Sequence, residues 1–222
     1  MVCGYGLDNQ FRWRDGMQRL LVATGNPGKL IEIQSLLDDL EITLLTPELM
    51  GIPLTVDENG ATYEENASLK AIAFARASGL VTLADDSGLE VEALGGLPGV
   101  RSARFSPLPN ATDADRRAYL LDLLQSHLRP WSAHFHCTVA IATPQDKIYY
   151  AQGNCPGVII PEERGTNGFG YDPIFLIPEI RLTMAELSMN DKNRLSHRAR
   201  AVKAALPILH AIRRNASIST SL

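Results

Sequence analysis

Residues 20–30 read Leu20-Leu21-Val22-Ala23-Thr24-Gly25-Asn26-Pro27-Gly28-Lys29-Leu30. The first four are apolar, the next six form a turn, and Leu30 opens a series with Ile33, Leu36, Leu37 and Leu40 at helical spacing. A buried strand, a loop and an amphipathic helix follow in that order. Such a loop ends at a helix N-terminus, where unpaired backbone N–H groups and the helix dipole favour an anion. Thr24, Gly25, Asn26, Pro27, Gly28 and Lys29 therefore read as a phosphate cradle, although Gly and Pro also punctuate ordinary strand–helix connections. This is not the P-loop of kinases and GTPases. Ala23 stands where that motif needs its first glycine, and Leu30 follows Lys29 in place of Ser or Thr.

Working outward, residues 42–45 read as a second strand, and residues 62–79 as a helix with an S/T-x-x-E start and a glycine stop. Residues 80–84 return as a buried strand that ends in Asp85 and Asp86. Thr112 opens another helix, with Asp115 three residues on and Ala118, Leu121, Leu124 and Leu128 on one stripe. Residues 134–142 and 147–153 pair as a hairpin across the turn 143–146. The last helix covers 196–214, with a kink expected at Pro207. Strands alternate with helices early and pair directly later, which predicts a three-layer α/β protein with a mixed sheet and a cleft at the strand ends. Residues 1–18 show no sustained period and read as an extension outside the fold, with Met17 as the expected natural start. A single catalytic domain is expected over 19–215, followed by a polar tail over 216–222.

The 222 residues are 45% hydrophobic, ample for one packed domain. The longest apolar run, 71–75, is far below the roughly 20 residues that span a bilayer. Cys3, Cys137 and Cys155 are odd in number and form no C-x-x-C pair, so neither a disulfide framework nor a zinc ribbon is supported. A reducing cytoplasm is the simplest setting. The net charge of −4 argues against a general nucleic-acid binder, so any phosphate binding must be local. The basic run from Lys192 to Lys203 is either a solvated helix face or part of such a site.

Several side chains carry candidate chemistry. Glu65, Asp85, Asp86 and Ser87 offer the oxygen ligands that hard cations need, and adjacent aspartates on a strand point in different directions, so one of the pair is expected to ligate. Thr62 and Glu65 are also spaced as a capping box, which would use the same carboxylate; spacing leaves both roles open. In Gly168-Phe169-Gly170-Tyr171-Asp172-Pro173, aromatic residues between glycines make a flat wall for a base, and Pro173 excludes a dinucleotide fingerprint. Lys192, His197 and Arg198 stand at the start of the final helix, either facing solvent or reaching phosphate and base. His134 and His136 share one strand face without a third ligand, and strand packing is the favoured reading.

These segments closely resemble the inosine triphosphate pyrophosphatase family, the dITP/XTP pyrophosphatases. The resemblance runs from Leu20 to about Leu209 through LVATGNPGK, YEENA, ADDSGLEVEALGGLPGVRSARF, GFGYDPIF and LSHRA, in family order. It implies an elongated mixed sheet flanked by helices, with two lobes around a deep cleft, and a homodimer. The implied reaction is Mg²⁺-dependent release of pyrophosphate from ITP, dITP or XTP. Thr24 to Lys29 would hold the triphosphate, Glu65 and Asp86 would bind Mg²⁺, and Asp86 would accept a proton. Ser87, Phe169, Gly170, Tyr171, Asp172, Lys192, His197 and Arg198 would complete the nucleotide site. A pyrophosphatase for modified pyrimidine nucleotides and a non-catalytic nucleotide sensor are the competing readings; the carboxylate group beside a polyanion speaks against the sensor.

Overall fold

The computed structural model describes residues 18–38 and 40–219. Residues 1–17, with the expected start at Met17, lie outside the described residues, and Gln18 already opens the first strand.

Among the described residues seven strands form one sheet: β1 (Gln18–Val22), β2 (Ile42–Leu45), β3 (Thr82–Val91), β4 (Trp131–Ala142), β5 (Ile148–Ile159), β6 (Phe175–Ile177) and β7 (Leu182–Thr183). Their order is β2-β1-β3-β4-β5-β6-β7. β2, β1 and β3 run parallel, and every pairing from β3 onward is antiparallel. The mixed sheet expected from the changing pattern of connections is the sheet observed.

Side-chain alternation on β1 divides the core. Leu20 and Val22 face α1 (Pro27–Leu37) and α5 (His197–Ser219) in a cluster with Ile33, Leu83, Val139 and Val202. Leu21 and Ala23 face α2 (Tyr63–Ser78), packing with Ala67, Ala71, Phe74 and Ala140. Burying a side chain such as Leu21, 0% exposed, contributes about 2 kcal/mol. The close approach of α5 to the sheet requires Gly153 on β5, where a Cβ would lie 2.3 Å from the carbonyl oxygen of His197.

At the far end of the sheet, Leu89, Val91, Trp131, Phe135 and Phe175 pack with Leu120 and Leu124 of α3 (Asp113–Leu124) as a second lobe. The long strands β3, β4 and β5 pass through both lobes. Asp86, Ser87 and Gly88 of β3 and Phe135 of β4 form the floor of the cleft between them.

The helix starts follow the sequence. Thr62 and Thr112 both cap reciprocally, with Glu65 and Asp115 respectively, and Gly79 ends α2 in the left-handed conformation at φ 69°. α5 runs unbroken through Pro207 to Ser219, beyond residue 214 and into the segment read as a polar tail.

Three strand boundaries need correction. β3 does not stop at Asp85 and Asp86 but continues to Val91, so both aspartates lie in mid-strand, opposite Val139 and Thr138 of β4. Charged residues persist there because tertiary partners satisfy them. β5 likewise passes Gly153 and runs to Ile159, and β4 begins at Trp131.

Candidate active site

The turn between β1 and α1 is built by its own side chains. The Asn26 N–H donates to the Thr24 hydroxyl at 3.2 Å, and the Asn26 side-chain oxygen caps α1 by accepting the Lys29 N–H at 3.1 Å. Pro27 occupies the first helical turn, where its missing N–H costs nothing. The positive end of α1 consequently points into a cleft of about 450 Å³.

On the floor, neighbouring aspartates of β3 face opposite sides of the sheet. Asp85 points toward α1 and α5 and is fully buried. Its Oδ2 lies 3.1 Å from the Lys29 ammonium and 3.2 Å from Arg198 Nε. Burial pushes this carboxyl up, but the charges of Lys29, Arg198 and Lys70 outweigh it and hold the group far below its ordinary range. Asp86 points toward α2 and lines the cleft, receiving the Asn66 side-chain N–H at 3.1 Å. There burial wins against Lys70 and Lys29, and the Asp86 carboxyl is raised, with the nearby Glu58 charge adding to the effect.

A chain of alternating charges then crosses the wall of the cleft. Arg198, 1% exposed, donates to Asp85, to Glu32 and, at 2.8 Å, to the Ser87 hydroxyl. Glu32 reaches Lys192 at 2.6 Å, and Lys192 also meets Asp172 at 2.7 Å. Burial lowers the Lys192 ammonium, but Asp172 and Glu32 reverse this and keep it protonated. An unpaired charge so deep would be strongly destabilising, so each ion depends on the next.

Phe169 lies against this wall, 5.2 Å from Lys192 Nζ and 5.5 Å from Arg198 Cζ. A Cβ on Gly28 would come within 2.5 Å of its ring, so only glycine at 28 lets the aromatic ring rest on the turn. His197 stacks on Phe135 with ring centroids 4.6 Å apart, and burial first, then Arg198 and Lys192, hold it neutral with its pKa well below 6.5.

Thr24, Gly25, Asn26, Pro27, Lys29, Asp86, Ser87, Phe169, Gly170, Tyr171, Asp172, Lys192, His197 and Arg198 all line the one cleft. Gly28 and Glu65 do not. Gly28 sits beneath Phe169. Glu65 accepts the N–H groups of Ala61 at 2.6 Å and Thr62 at 3.3 Å, so the capping box occupies its carboxylate. His134 pairs with Glu90, and His136 bonds Asn154 and Thr138 while stacking on Tyr63. Among the described residues no group of three or more His, Cys, Asp and Glu side chains is gathered to hold a metal.

Sequence reasoning missed Glu58, Asn66, Lys70, Arg104, Asp113 and Arg116. Asn66 and Lys70 carried a signal, since both stand on the apolar stripe of α2 with Ala67, Ala71 and Phe74. Lys70 reaches the backbone oxygen of Asp85 at 2.6 Å and Glu58 at 3.0 Å. Glu58 lies in an aperiodic loop and gave none. Six cationic residues, Lys29, Lys70, Arg104, Arg116, Lys192 and Arg198, line the cleft against four carboxylates, Glu58, Asp86, Asp113 and Asp172. A chain of net charge −4 thus concentrates positive charge where the helix dipole points.

Comparison with known proteins gives the family and the fold. The Ham1 family profile matches residues 20–208. A dITP/XTP pyrophosphatase of Geobacter sulfurreducens is 50% identical over 187 residues, covering 84% of this chain and 94% of that one. One of Thermus thermophilus is 45% identical over 190 residues, covering 85% and 90%. Among solved structures, a HAM1 protein from Coxiella burnetii superposes with a TM-score of 0.80 at 41% identity, over 88% of this chain and all of that one. A nucleoside-triphosphatase (dITP/XTP pyrophosphatase) from Mycobacterium abscessus gives 0.68 at 38% identity, over 86% and 100%. From its first strand to its last helix, the chain belongs to the Ham1 family.

Proposed function

We propose that this protein hydrolyses nucleoside triphosphates of deaminated purines, ITP, dITP and XTP, to the monophosphate and pyrophosphate. The observation that carries the reading is convergence on one cleft of the α1 N-terminus, the Asp86 carboxylate and the buried cations Lys192 and Arg198. The names of its relatives supply the substrate class.

Thr24 to Lys29 and the α1 dipole hold the phosphate chain, and Lys29 and Lys70 offset its charge. Water attacks the α-phosphorus. Its oxygen forms the new bond, its proton passes to Asp86, and the bond from the α-phosphorus to the bridging oxygen breaks as pyrophosphate leaves with that oxygen. Asn66 fixes the Asp86 carboxylate for this step.

Asp86 and Glu58 fit a hard divalent cation such as Mg²⁺, because both are oxygen donors on the cleft and few enough to leave coordination places for water and phosphate. Glu65, expected for this role, would have to abandon its cap. When bound, Mg²⁺ supplies charge neutralisation at the phosphate oxygens.

At the base, Phe169 provides a stacking face, and pinned N–H donors suit the 6-oxo acceptor of hypoxanthine while rejecting the 6-amino donor of adenine. Arg198 offers donors only, and its three protein partners prevent it from turning away. Assembly as a homodimer and a cytoplasmic location accompany the family resemblance and composition. No helix among the described residues is long and apolar enough to cross a membrane.

Pyrophosphate release from ITP, XTP, ATP and GTP, and from a modified pyrimidine triphosphate, with and without Mg²⁺, tests the reading. ITP and XTP are expected to turn over far faster than the others and only with the metal. Equal efficiency on ATP and ITP would defeat the selectivity, and nucleotide binding without pyrophosphate release would make the protein a sensor.

A further inference from the structure

Side chains of α3 hold the aromatic loop at Gly170. The N–H of Gly170 donates to Asp113 Oδ2 at 2.7 Å, and the Gly170 carbonyl accepts from Arg117 at 2.8 Å. Both polar groups of a single residue, itself in the left-handed conformation at φ 62°, are therefore held by side chains four apart on one helix face. The holders are themselves fixed. Arg117 forms a two-pronged pair with Glu163 at 2.7 and 2.9 Å, and Arg116 bonds Asp113 while donating to the Ala111 carbonyl at 2.6 Å. The Asp113 carboxyl stays below its ordinary range because the Gly170 N–H and the two arginines outweigh its burial.

This grip is immediately next to Phe169, the ring that rests on the phosphate turn at Gly28. One peptide unit joins the two residues, so the direction in which the ring leaves the backbone depends on how Gly170 is held, together with the Phe169 N–H bond to Asp172 Oδ2 at 3.0 Å. We propose that Asp113 and Arg117 are positioning residues for base recognition, gripping Gly170 so that Phe169 stands at a fixed distance across the cleft from Gly28. The proposal rests on the reading of residues 168–172 as the base wall. It assigns α3 a role in selectivity that neither its capping nor its apolar stripe reveals. Neither grip touches Asp86 or the phosphate turn, so its loss should weaken nucleotide capture more than the chemical step.

The test is steady-state hydrolysis of ITP and ATP by the full chain, as wild type, Arg117→Ala, Arg117→Lys, Phe169→Ala and the Arg117→Ala/Phe169→Ala double variant, with thermal melting to verify folding. Arg117→Ala should raise KM for ITP about tenfold, the size of one charge-assisted hydrogen bond, with kcat within about threefold and a reduced preference for ITP over ATP. Arg117→Lys should recover part of the loss. If Arg117 acts through Phe169, the double variant is no worse than Phe169→Ala alone.

Losses that multiply in the double variant, or a fall in kcat at unchanged KM, would overturn the proposal. A KM unmoved by Phe169→Ala would remove the base wall and the clamp with it. A KM raised by Phe169→Ala but not by Arg117→Ala would remove the clamp alone. Should Arg117→Ala fail to fold, Glu163→Gln at the half-exposed outer partner must shift KM in the same direction by a smaller factor, and no shift would equally refute the clamp.

Discussion

Asp85 and Asp86 are chemically identical and adjacent, yet the strand sends them to opposite faces and into opposite environments. Asp85 is surrounded by cations and serves as their fixed counter-ion; Asp86 faces the cleft with its carboxyl raised by burial. Asp86→Asn should therefore lower kcat at least about a hundredfold while retaining nucleotide binding, the range typical for loss of a general base. Near-normal turnover would take Asp86 out of the chemistry. His197 allows a prediction about pH. Because burial depresses its folded pKa below the ordinary 6.5, the unfolded chain takes up its proton first as pH falls, and stability must decline below pH 6.5 until the folded pKa is reached. The slope is at most about 1.4 kcal/mol per pH unit, or roughly 3–6 °C in Tm for a domain of this size. Melting followed from pH 7.5 to 5 should show that decline in the wild type and a flatter profile in His197→Gln. Parallel profiles would show that His197 is not the group responsible.

At the level of elements, α2 and the loop before it give different roles to two carboxylates, of which the sequence pointed only to Glu65. Glu65 closes the first turn with Thr62, whereas Glu58, on the preceding loop, lines the cleft beside Lys70. Glu65→Gln should cost about 1 kcal/mol in stability and leave the Mg²⁺ dependence of hydrolysis nearly intact. Glu58→Gln should raise the Mg²⁺ concentration needed for half-maximal rate by about tenfold or more. The reverse pattern in a Mg²⁺ titration would return the ligand role to Glu65. The helices were legible because their starts are local: Thr62 with Glu65 and Thr112 with Asp115 bond within one turn. The end of β3 was not, because a charged pair in a strand looks like a terminator until Lys29, Arg198 and Asn66 are brought to it from distant parts of the chain. Glu32 escaped for the same reason, since nothing near it in sequence announces that Lys192 and Arg198 will bury it.

Across the whole molecule, the cleft is positioned by strands that belong to neither lobe alone. β3, β4 and β5 contribute Leu83, Val139 and Ala151 to the core under α1 and α5, and Leu89, Phe135 and Cys155 to the core under α3. The β4–β5 ladder is continuous from Ala142 and Ile148 to Trp131 and Ile159. Melting one lobe would thus expose one end of three strands whose other ends remain paired, and would break the ion chain that joins α1 to α4 (Met189–Leu195) and α5. Neither lobe has a separate hydrogen-bonded sheet on which to survive. Unfolding should accordingly be one transition, although the core is divided among three clusters. Trp131, 4% exposed in the α3 lobe, reports on that core once Trp13→Phe removes the other tryptophan, and far-ultraviolet circular dichroism reports on the whole sheet. In urea the two signals should share a midpoint and slope. A fluorescence transition at clearly lower urea would mean that the lobe carrying Phe169 and Tyr171 melts by itself, and the cleft would then be a junction of two separable bodies.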